Sequence, residues 1–264
     1  MLIAQLSDIH CRPAGQLYKD VANSNRSLVR AIDHLHQLDT RPDLVLLTGD
    51  LTDYGQPDEY EAAREILSGL EIPLYLMPGN HDDPDHFRAA FSGHDYLPSS
   101  GPVNYCIDHL PVRIVALDSC IAGAHHGNLT PETLDYLRYQ LESAPDKPTI
   151  IALHHPPFVC GIPYMDQYRY QQSDPLAAVL TEFSNVEAVV CGHVHRFMMR
   201  RWAGTVVCTC PSTATEIALQ LNPQALPQTF LGPPGVLLHW WSAQDGLVSH
   251  LSSIGEFPGP YPFC

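Results

Sequence analysis

The sequence predicts an α/β protein in which strands and helices pack in layers. Two observations lead to this prediction: short apolar runs recur along the chain, and amphipathic stretches separate them. With 264 residues and a mass of 29.3 kDa, the chain is long enough for one large domain, or for one domain with a small appendage. Strands are predicted at residues 2–6, 43–48, 72–77, 112–117, 149–153, 186–191 and 205–209.

Four helices are predicted between these strands, each from an apolar face or a signal at its start. An apolar face that includes Ile32 and Leu35 predicts the first helix. Pro57 lies in the first turn of the second helix, and Thr130 caps the third directly before a proline. Asp174 starts the fourth in the same way. The helices are expected at residues 25–38, 57–70, 130–143 and 174–183.

The character of the chain changes after residue 211. Residues 213–234 are rich in proline and lack a clear period, whereas residues 236–241 and 247–252 are typical of a β-hairpin. We therefore predict a core at residues 1–212 and a C-terminal extension at residues 213–264. The extension could cap a site, carry an oligomer contact or cover one sheet, and the sequence leaves all three roles open.

The charge and composition of the chain argue against two classes of partner. Its 14 lysine and arginine residues against 29 aspartate and glutamate residues give a formal net charge of −15. A surface of this sign repels the phosphates of duplex nucleic acid. No apolar run approaches the length of about 18 residues that indicates a membrane span. The first residues also lack a basic segment and an apolar export stretch, so we expect a cytoplasmic protein.

The eight cysteines do not form a recognisable metal site or disulfide framework. The chain has no C-x-x-C pair, and the spacing of the cysteines is irregular. We expect most of the thiols to be reduced and buried. Cys264, at the C-terminus, could form an intermolecular bridge.

Polar residues that can bind metal follow five of the predicted strands. Sites in open α/β sheets lie at the carboxyl ends of the strands, so these side chains are expected to converge on one rim. Carboxylate, imidazole and amide groups in this arrangement can hold a pair of divalent ions that activates water. The five motifs are Asp8-Ile9-His10, Gly49-Asp50, Gly79-Asn80-His81-Asp82, His154-His155 and Gly192-His193-Val194-His195.

Two of the motifs place their polar residues at alternate positions. Asp8 and His10 are two residues apart, as are His193 and His195, and alternate residues of a strand point to the same face. The first pair therefore suits chelation of one ion. Any single motif is more often a group of hydrogen-bonded loop residues, but five of them in a compatible order, each after a strand, favour a shared metal site.

Together the motifs resemble the calcineurin-like metallophosphoesterase superfamily, whose motif string is D-x-H, G-D, G-N-H-D/E, H and G-H-x-H. The match extends over nearly all of the first 212 residues. The stretches Gly49-Asp50-Leu51-Thr52-Asp53-Tyr54-Gly55 and Pro78-Gly79-Asn80-His81-Asp82-Asp83 resemble, more narrowly, the bacterial class III cyclic-nucleotide and glycerophosphodiester phosphodiesterases. The resemblance implies a two-sheet β-sandwich flanked by helices, with residues 1–212 as the catalytic core and a short C-terminal extension.

The resemblance also implies roles for individual residues. His81 would contact the phosphate or protonate the leaving oxygen. Either histidine of the pair at residues 154 and 155 could bind metal, but the family places the first on the ion and leaves His155 beside it. The seven implied metal ligands are Asp8, His10 and His195 on a first ion, Asn80, His154 and His193 on a second, and Asp50 as the bridge between them.

Three further residues are weaker candidates for the pocket. Arg12, Tyr18 and Asn23 lie in the loop after the first motif, where a role in the surface loop is an equal alternative. The implied ligand set mixes nitrogen and oxygen donors without thiolates. Such a set suits two divalent ions of Mn, Fe, Zn or Co better than Ca.

The expected reaction is the hydrolysis of a small phosphodiester, such as a cyclic nucleotide or a glycerophosphodiester, by hydroxide formed at the two ions. Phosphomonoester hydrolysis is the alternative, because walls of the pocket rather than metals decide the leaving group. A non-catalytic metal-binding scaffold is disfavoured, since such chains lose ligands and this one keeps all seven. A homo-oligomer is left open by the sequence.

Overall fold

The protein is described from a computed structural model that covers residues 1–259, 261 and 262. Cys264, the candidate for an intermolecular bridge, lies outside the described residues. Thirteen strands are found in the described part of the chain. They are β1 (Leu2–Leu6), β2 (Leu44–Thr48), β3 (Leu74–Met77), β4 (Tyr105–Ile107), β5 (Arg113–Ala116), β6 (Thr149–Ala152), β7 (Val186–Cys191), β8 (Met198–Trp202), β9 (Thr205–Thr209), β10 (Glu216–Ile217), β11 (Thr229–Phe230), β12 (Gly235–Ser242) and β13 (Gly246–Ser253).

Helices alternate with the strands over the first two thirds of the chain. Four of them begin with proline in the first turn, where its missing N–H is not needed. The helices in the described residues are α1 (Ser24–His36), α2 (Pro57–Leu67), α3 (Pro84–Ala90), α4 (Pro131–Ser143), α5 (Pro163–Asp166) and α6 (Ser173–Thr181).

The strands form two main sheets and a small pair. The first sheet has the order β13-β12-β1-β2-β3, the second has the order β4-β5-β6-β7-β9-β8, and β10 pairs with β11. Strands β1 to β3 are parallel in the first sheet, as are β5, β6, β7 and β9 in the second. The predicted α/β sandwich of two sheets flanked by helices is confirmed.

Apolar side chains fill three layers between these elements. The layer between the two sheets includes Ile150. Leu35 of α1 and Leu47 of β2 belong to the layer between the first sheet and its helices, and Leu137 of α4 and Val189 of β7 belong to the corresponding layer of the second sheet. All five side chains are fully or almost fully buried. Burial of each such side chain contributes about 1.5 to 3 kcal/mol.

The strands and helices predicted from periodicity are confirmed, and the ones that were missed are short or polar. Strand β4 has only three residues, and β8 has the polar sequence of an exposed edge strand, Met-Met-Arg-Arg-Trp. Helix α3 directly follows the motif that contains His81. Its N-cap, Asp83, accepts hydrogen bonds from the backbone N–H groups of Asp85 and His86.

The predicted C-terminal hairpin is part of the first sheet. Strand β12 pairs antiparallel with β1, so that Leu2 lies opposite Trp240, and β13 forms the edge. Ser212 and Thr215, on either side of the proposed boundary, lie in one hydrogen-bonded turn, in which the hydroxyl of Ser212 accepts from the Thr215 backbone N–H. The division into a catalytic core at residues 1–212 and an extension at residues 213–264 stays a prediction.

A chain of buried polar groups crosses the space between the two sheets. The side-chain amide of Gln5, in β1, donates to the hydroxyl of Thr48 at 2.9 Å and to the carbonyl oxygen of Cys191 at 3.0 Å. Its oxygen lies 3.0 Å from Nε2 of His239 in β12, and Nδ1 of His239 lies 2.7 Å from the hydroxyl of Ser249. Since the amide oxygen can only accept, Nε2 carries the proton, and the neutral imidazole satisfies the buried Gln5 on one side and the exposed Ser249 on the other.

His239 should make the protein less stable in acid. Burial lowers the pKa of His239 from 6.5 to about 4. As the pH falls below 6.5, the unfolded chain binds a proton that the folded chain excludes, so stability is full above about pH 6.5 and declines toward pH 4. Between pH 7.5 and pH 5 the loss from this residue is about 2 kcal/mol.

Urea unfolding of wild type and His239→Gln at both pH values measures this loss. The variant, which keeps a donor and an acceptor, should lose about 2 kcal/mol less than wild type on acidification. The exposed His250 of the neighbouring strand offers a matched control, because His250→Gln should lose as much as wild type. An equal acid sensitivity of wild type and His239→Gln would contradict this account.

Candidate metal centre

The polar motifs meet where the parallel strands of both sheets end. Asp8 follows β1, Asp50 follows β2, and Asn80 follows β3, all in the first sheet; His154 follows β6, and His193 follows β7, in the second. The backbone N–H of His193 donates to both carboxylate oxygens of Asp8 at 3.0 Å. The carboxyl ends of the parallel strands of both sheets therefore form one rim.

The backbone at this rim departs from the extended form that the sequence predicted for the paired residues. Five residues have positive φ angles between 42° and 72°, a region that side chains other than glycine rarely adopt. Such residues cost about 1 to 3 kcal/mol each and are typical of functional sites. The same-face argument for alternate strand residues was therefore wrong, since these residues lie beyond the strands. The five are Asp8, His10, Asp50, His193 and His195.

The first group of potential ligands comprises two carboxylates and two imidazoles, all buried. Ligand atoms of Asp8, His10, Asp50 and His195 lie within 4.8 Å of one another. Nε2 of His195 is 3.1 Å from Nε2 of His10 and 3.4 Å from Oδ1 of Asp8. Nδ1 of His195 lies 3.1 Å from the carbonyl oxygen of Thr215, which holds its proton and leaves Nε2 free for metal.

The second group consists of three imidazoles, and His81 lies in a third with His10 and Asp53. Ligand atoms of His154, His155 and His193 lie within 4.8 Å of one another. Nε2 of His154 is 3.2 Å from Oδ1 of Asn80 and 3.3 Å from Oδ2 of Asp50. Asp50 thus contacts the second group as well as belonging to the first, so its carboxylate faces both. His193 and His195 fall into different groups although they are two residues apart.

His155 is held on both sides by the protein. Its Nδ1 lies 2.9 Å from the hydroxyl of Ser119, and its Nε2 lies 3.2 Å from the carbonyl oxygen of His125. Gly127 packs against the ring, where any side chain would collide with it. With both ring nitrogens engaged, His155 supports the site from behind in this arrangement.

His81 lies beside the two groups with one ring nitrogen free. Its Nδ1 donates to the carbonyl oxygen of Asp53 at 2.7 Å, and its backbone N–H donates to Oδ1 of Asp50 at 2.9 Å. Because a carbonyl oxygen can only accept, the proton is on Nδ1 and Nε2 is available to a ligand. The ring stands edge-on to His10, with 4.9 Å between the ring centroids.

The three weaker candidates have different surroundings. The ring of Tyr18 is buried and stacks on His10, with 4.3 Å between centroids and an angle of 14°. The guanidinium of Arg12 pairs with Glu59 and lies over the ring of Tyr54. Asn23 caps α1, where its side-chain oxygen accepts from the backbone N–H of Arg26 at 3.0 Å. Tyr18 borders the centre, and substrate roles for Arg12 and Asn23 stay predictions.

Sequence reasoning missed one histidine at the rim. Nδ1 of His125 lies 3.1 Å from the side-chain nitrogen of Asn80, and its ring centroid is 5.5 Å from that of His81. His125 lies in the loop between β5 and α4, with no motif around it, so no signal in a single sequence marks it. Asp82, by contrast, belongs to a motif, because it follows His81 directly. Its carboxylate accepts hydrogen bonds from the backbone N–H groups of Leu51 and Gly79.

Burial sets the charge states of the polar groups at the rim. It raises the pKa of Asp8 to about 7 and holds the pKa values of His10 and His193 well below their ordinary range. Burial alone would also raise the pKa of Asp50, but the neighbouring His154 and His81 hold it well below its usual value. His10 and His193 are therefore neutral, with lone pairs available, beside the ionised carboxylate of Asp50, which outweighs burial at His154 and raises the pKa of that imidazole to about 9.

The residues present fit a divalent cation. Two imidazole nitrogens 3.1 Å apart cannot both donate, and Nε2 of His193 is buried without a hydrogen-bond partner among the described residues. A cation would satisfy these lone pairs and the buried carboxylates together. Gly79 lies so close to Asp50 that a side chain there would collide with the carboxylate. The donor set, nitrogen and oxygen without thiolate, is typical of a divalent transition-metal site.

Comparison with known proteins agrees with this geometry. A sequence model of the calcineurin-like phosphoesterase family matches residues 1–197. The chain belongs to this family. The matched stretch, residues 1–197, carries all five motifs.

Two relatives of this calcineurin-like phosphoesterase have names that specify an activity. The chain is 38% identical over 264 residues to the probable glycerophosphodiester phosphodiesterase GpdQ of Arcobacter nitrofigilis, an alignment that covers all of this chain and 97% of the relative. It is 31% identical over 232 residues to a 3′,5′-cyclic-nucleotide phosphodiesterase of Nostoc, covering 87% of this chain and 85% of the relative.

The fold of this calcineurin-like phosphoesterase also matches solved structures. A dimetal phosphatase from Danio rerio aligns over 97% of this chain and 99% of its own, with a TM-score of 0.66 and 15% identity, which shows a common fold. In the described part of the chain, no helix is both long enough and apolar enough to span a membrane.

Metal should stabilise the folded protein. The ligand atoms meet only in the folded chain, so a divalent ion binds it selectively and raises stability by about 2.7 kcal/mol at a free concentration one hundred times the dissociation constant. Protein stripped with a chelator should therefore melt at a lower temperature and recover when Mn²⁺ is added. Differential scanning calorimetry measures both changes.

A pair of carboxylate variants separates the site from general effects of charge. Asp50→Asn should lose most of the Mn²⁺-induced rise in melting temperature, whereas Asp39→Asn, at an exposed position after α1, should keep it. A full metal-induced rise in Asp50→Asn would show that the ion binds elsewhere.

Proposed function

We propose that this protein is a metal-dependent phosphodiesterase that hydrolyses small phosphodiesters, with glycerophosphodiesters and cyclic nucleotides as the leading substrates. The observation that carries the proposal is the pair of buried ligand groups that share Asp50 at the common rim of the two sheets. The names of the two relatives support the substrate classes.

The proposed centre holds two divalent ions, each bound from both sheets. Contacts within the two groups support this assignment: Asp50 lies 3.8 Å from Nε2 of His10 and 3.3 Å from Nε2 of His154. Mn, Fe, Zn and Co are the candidate metals, because the donors are imidazole, carboxylate and amide. The proposed ligands are Asp8, His10 and His195 for the first ion, Asn80, His154 and His193 for the second, and Asp50 for both.

When bound, such ions lower the pKa of water and neutralise charge on the phosphoryl oxygens. The chain's own residues supply orientation and a proton. His81 is fixed by the carbonyl oxygen of Asp53, so its Nε2 faces the rim and can donate a proton to the leaving oxygen when the ring is protonated. The stacked ring of Tyr18 holds His10 in place.

A phosphomonoesterase of the same family is the alternative function. The ligand set is common to both reactions, so the groups around the leaving oxygen make the difference. A non-catalytic scaffold is disfavoured, because all seven proposed ligands lie at the rim.

We also propose that the enzyme acts in the cytoplasm. The cysteines of the described residues are all free thiols, and free thiols suit a reducing compartment. A homo-oligomer stays a prediction.

Loss of the bridging carboxylate should abolish hydrolysis. With Mn²⁺ present, Asp50→Ala and His195→Ala should reduce the turnover of bis(p-nitrophenyl) phosphate to the background of the assay, because the proposed ions lose a shared or a direct ligand. Asp39→Ala, with an exposed side chain, should retain wild-type turnover. Wild-type rates in Asp50→Ala would rule out this function.

The same assay can rank the substrate classes. Cyclic AMP, glycerophosphocholine and bis(p-nitrophenyl) phosphate should each be hydrolysed faster than p-nitrophenyl phosphate at equal concentration. A preference for the monoester would favour the alternative function.

His81 should affect turnover more than metal content. His81→Ala should lower kcat about 100-fold or more, as expected for loss of a general acid, while elemental analysis shows a metal content close to that of wild type. The loss should be smaller for an aryl leaving group, which needs less protonation, than for glycerophosphocholine. Loss of metal from His81→Ala would show instead that the imidazole is a ligand.

A further inference from the structure

Lysine is rare in this chain, and one lysine stands at the edge of the metal centre. The sequence contains only Lys19 and Lys147. The ammonium of Lys147 lies 2.9 Å from Oδ1 of Asp108, in an ion pair remote from the motifs. Within the described residues, no carboxylate forms an ion pair with Lys19, and its side chain is exposed. A cation without a protein partner is available to a ligand.

A strained turn holds Lys19 in its place. Lys19 and Asp20 have positive φ angles of 52° and 59°, in the region that favours glycine. The backbone N–H groups of Val21 and Ala22 donate to the carbonyl oxygen of Tyr18 at 3.1 Å and 3.0 Å, which closes the turn. Two such residues in succession cost about 2 kcal/mol or more. The backbone conformation of this turn therefore does not itself favour lysine at position 19.

The turn places the ammonium of Lys19 beside an aromatic ring that borders the proposed metal centre. Nζ of Lys19 lies over the ring of Tyr18, 5.4 Å from its centroid, and this ring stacks on His10. The ammonium therefore lies beside a ring that borders the proposed centre.

The other basic residue of this loop is already engaged. The guanidinium of Arg12 pairs with Glu59 and donates to the side-chain oxygen of Gln16 at 2.7 Å. Against a formal net charge of −15, Lys19 is thus the lysine or arginine of this loop that has no carboxylate partner among the described residues. An ammonium in this position attracts an anion.

We propose that Lys19 binds a second anionic group, a carboxylate or a phosphate, on the alcohol portion of the phosphodiester. The inference rests on the proposed function, in which the ligand groups hold the phosphoryl oxygens. Lys19 contacts Tyr18 and, within the described residues, neither ligand group directly. It therefore meets the part of the substrate that extends beyond the phosphorus atom, and among glycerophosphodiesters it favours those whose alcohol portion carries a further negative charge.

Two chromogenic diesters with the same leaving group test the proposal. One is bis(p-nitrophenyl) phosphate, and the other carries a carboxylate in place of one nitro group. For wild type with Mn²⁺ at low ionic strength, kcat/KM for release of p-nitrophenolate should be higher for the carboxylate diester, after correction for the intrinsic rates of the two compounds. Lys19→Gln should lower the ratio of the two kcat/KM values about tenfold, the effect of one charge-assisted contact.

Two controls define the result. Lys19→Arg should keep most of the ratio, and Lys147→Gln, which changes the net charge equally, should leave it as in wild type. An unchanged ratio in Lys19→Gln would overturn the proposal. A fall in both kcat/KM values by the same factor would also overturn it, because Lys19 would then contact the phosphoryl group itself.

A binding experiment distinguishes failure of this proposal from failure of the proposed function. Absence of any hydrolysis of bis(p-nitrophenyl) phosphate by wild type would refute the function alone. Titration calorimetry with benzylphosphonate and 4-carboxybenzylphosphonate then tests Lys19 without turnover. The carboxylate should tighten binding about tenfold in wild type and not in Lys19→Gln. An equal gain in both proteins would overturn the proposal.

Discussion

One buried histidine joins the ends of the two sheets. Nδ1 of His154, directly after β6, donates to the carbonyl oxygen of Thr48, the last residue of β2, at 2.8 Å. Because the carbonyl can only accept, the proton lies on Nδ1, and Nε2 points toward Asp50 and Asn80. The contact that aligns the ends of the two sheets therefore also presents the nitrogen that the proposed second ion needs. Displacement of this ring would disturb the sheet junction and the site together.

The buried carboxylates and imidazoles of the rim are compatible with one another only when a cation is bound. Two carboxylates and several imidazoles are buried together, and burial opposes the charged form of each. Positive φ angles at Asp8, His10 and Asp50 add strain to the backbone. A divalent ion compensates both costs, since it is attracted to the carboxylates and accepts the lone pairs of neutral imidazoles. The stability of the rim and its proposed chemistry thus depend on the same charge.

The ligands and the surrounding wall come from different kinds of structure. The proposed ligands lie at the ends of buried parallel strands, whose positions are set by backbone hydrogen bonds. The wall comes from loops: Tyr18 and Lys19 follow β1, and His125 follows β5. Loops vary more freely than strands, so the choice of leaving group can change while the ligands stay. This division explains why the motifs indicate phosphoester hydrolysis more clearly than its substrate.

The sequence alone determined the α/β class, the main strands and helices, the family and the residues that meet at the rim. These features depend on local signals, namely apolar runs, helix starts and short motifs after strands. Only the tertiary structure decided that the backbone has positive φ angles at His193 and His195, that β12 pairs with β1, and that His125 lies against Asn80. Each of these facts joins residues far apart in the chain or depends on a backbone turn at one residue. Periodicity carries no information about such contacts, because they are set by how the two sheets pack.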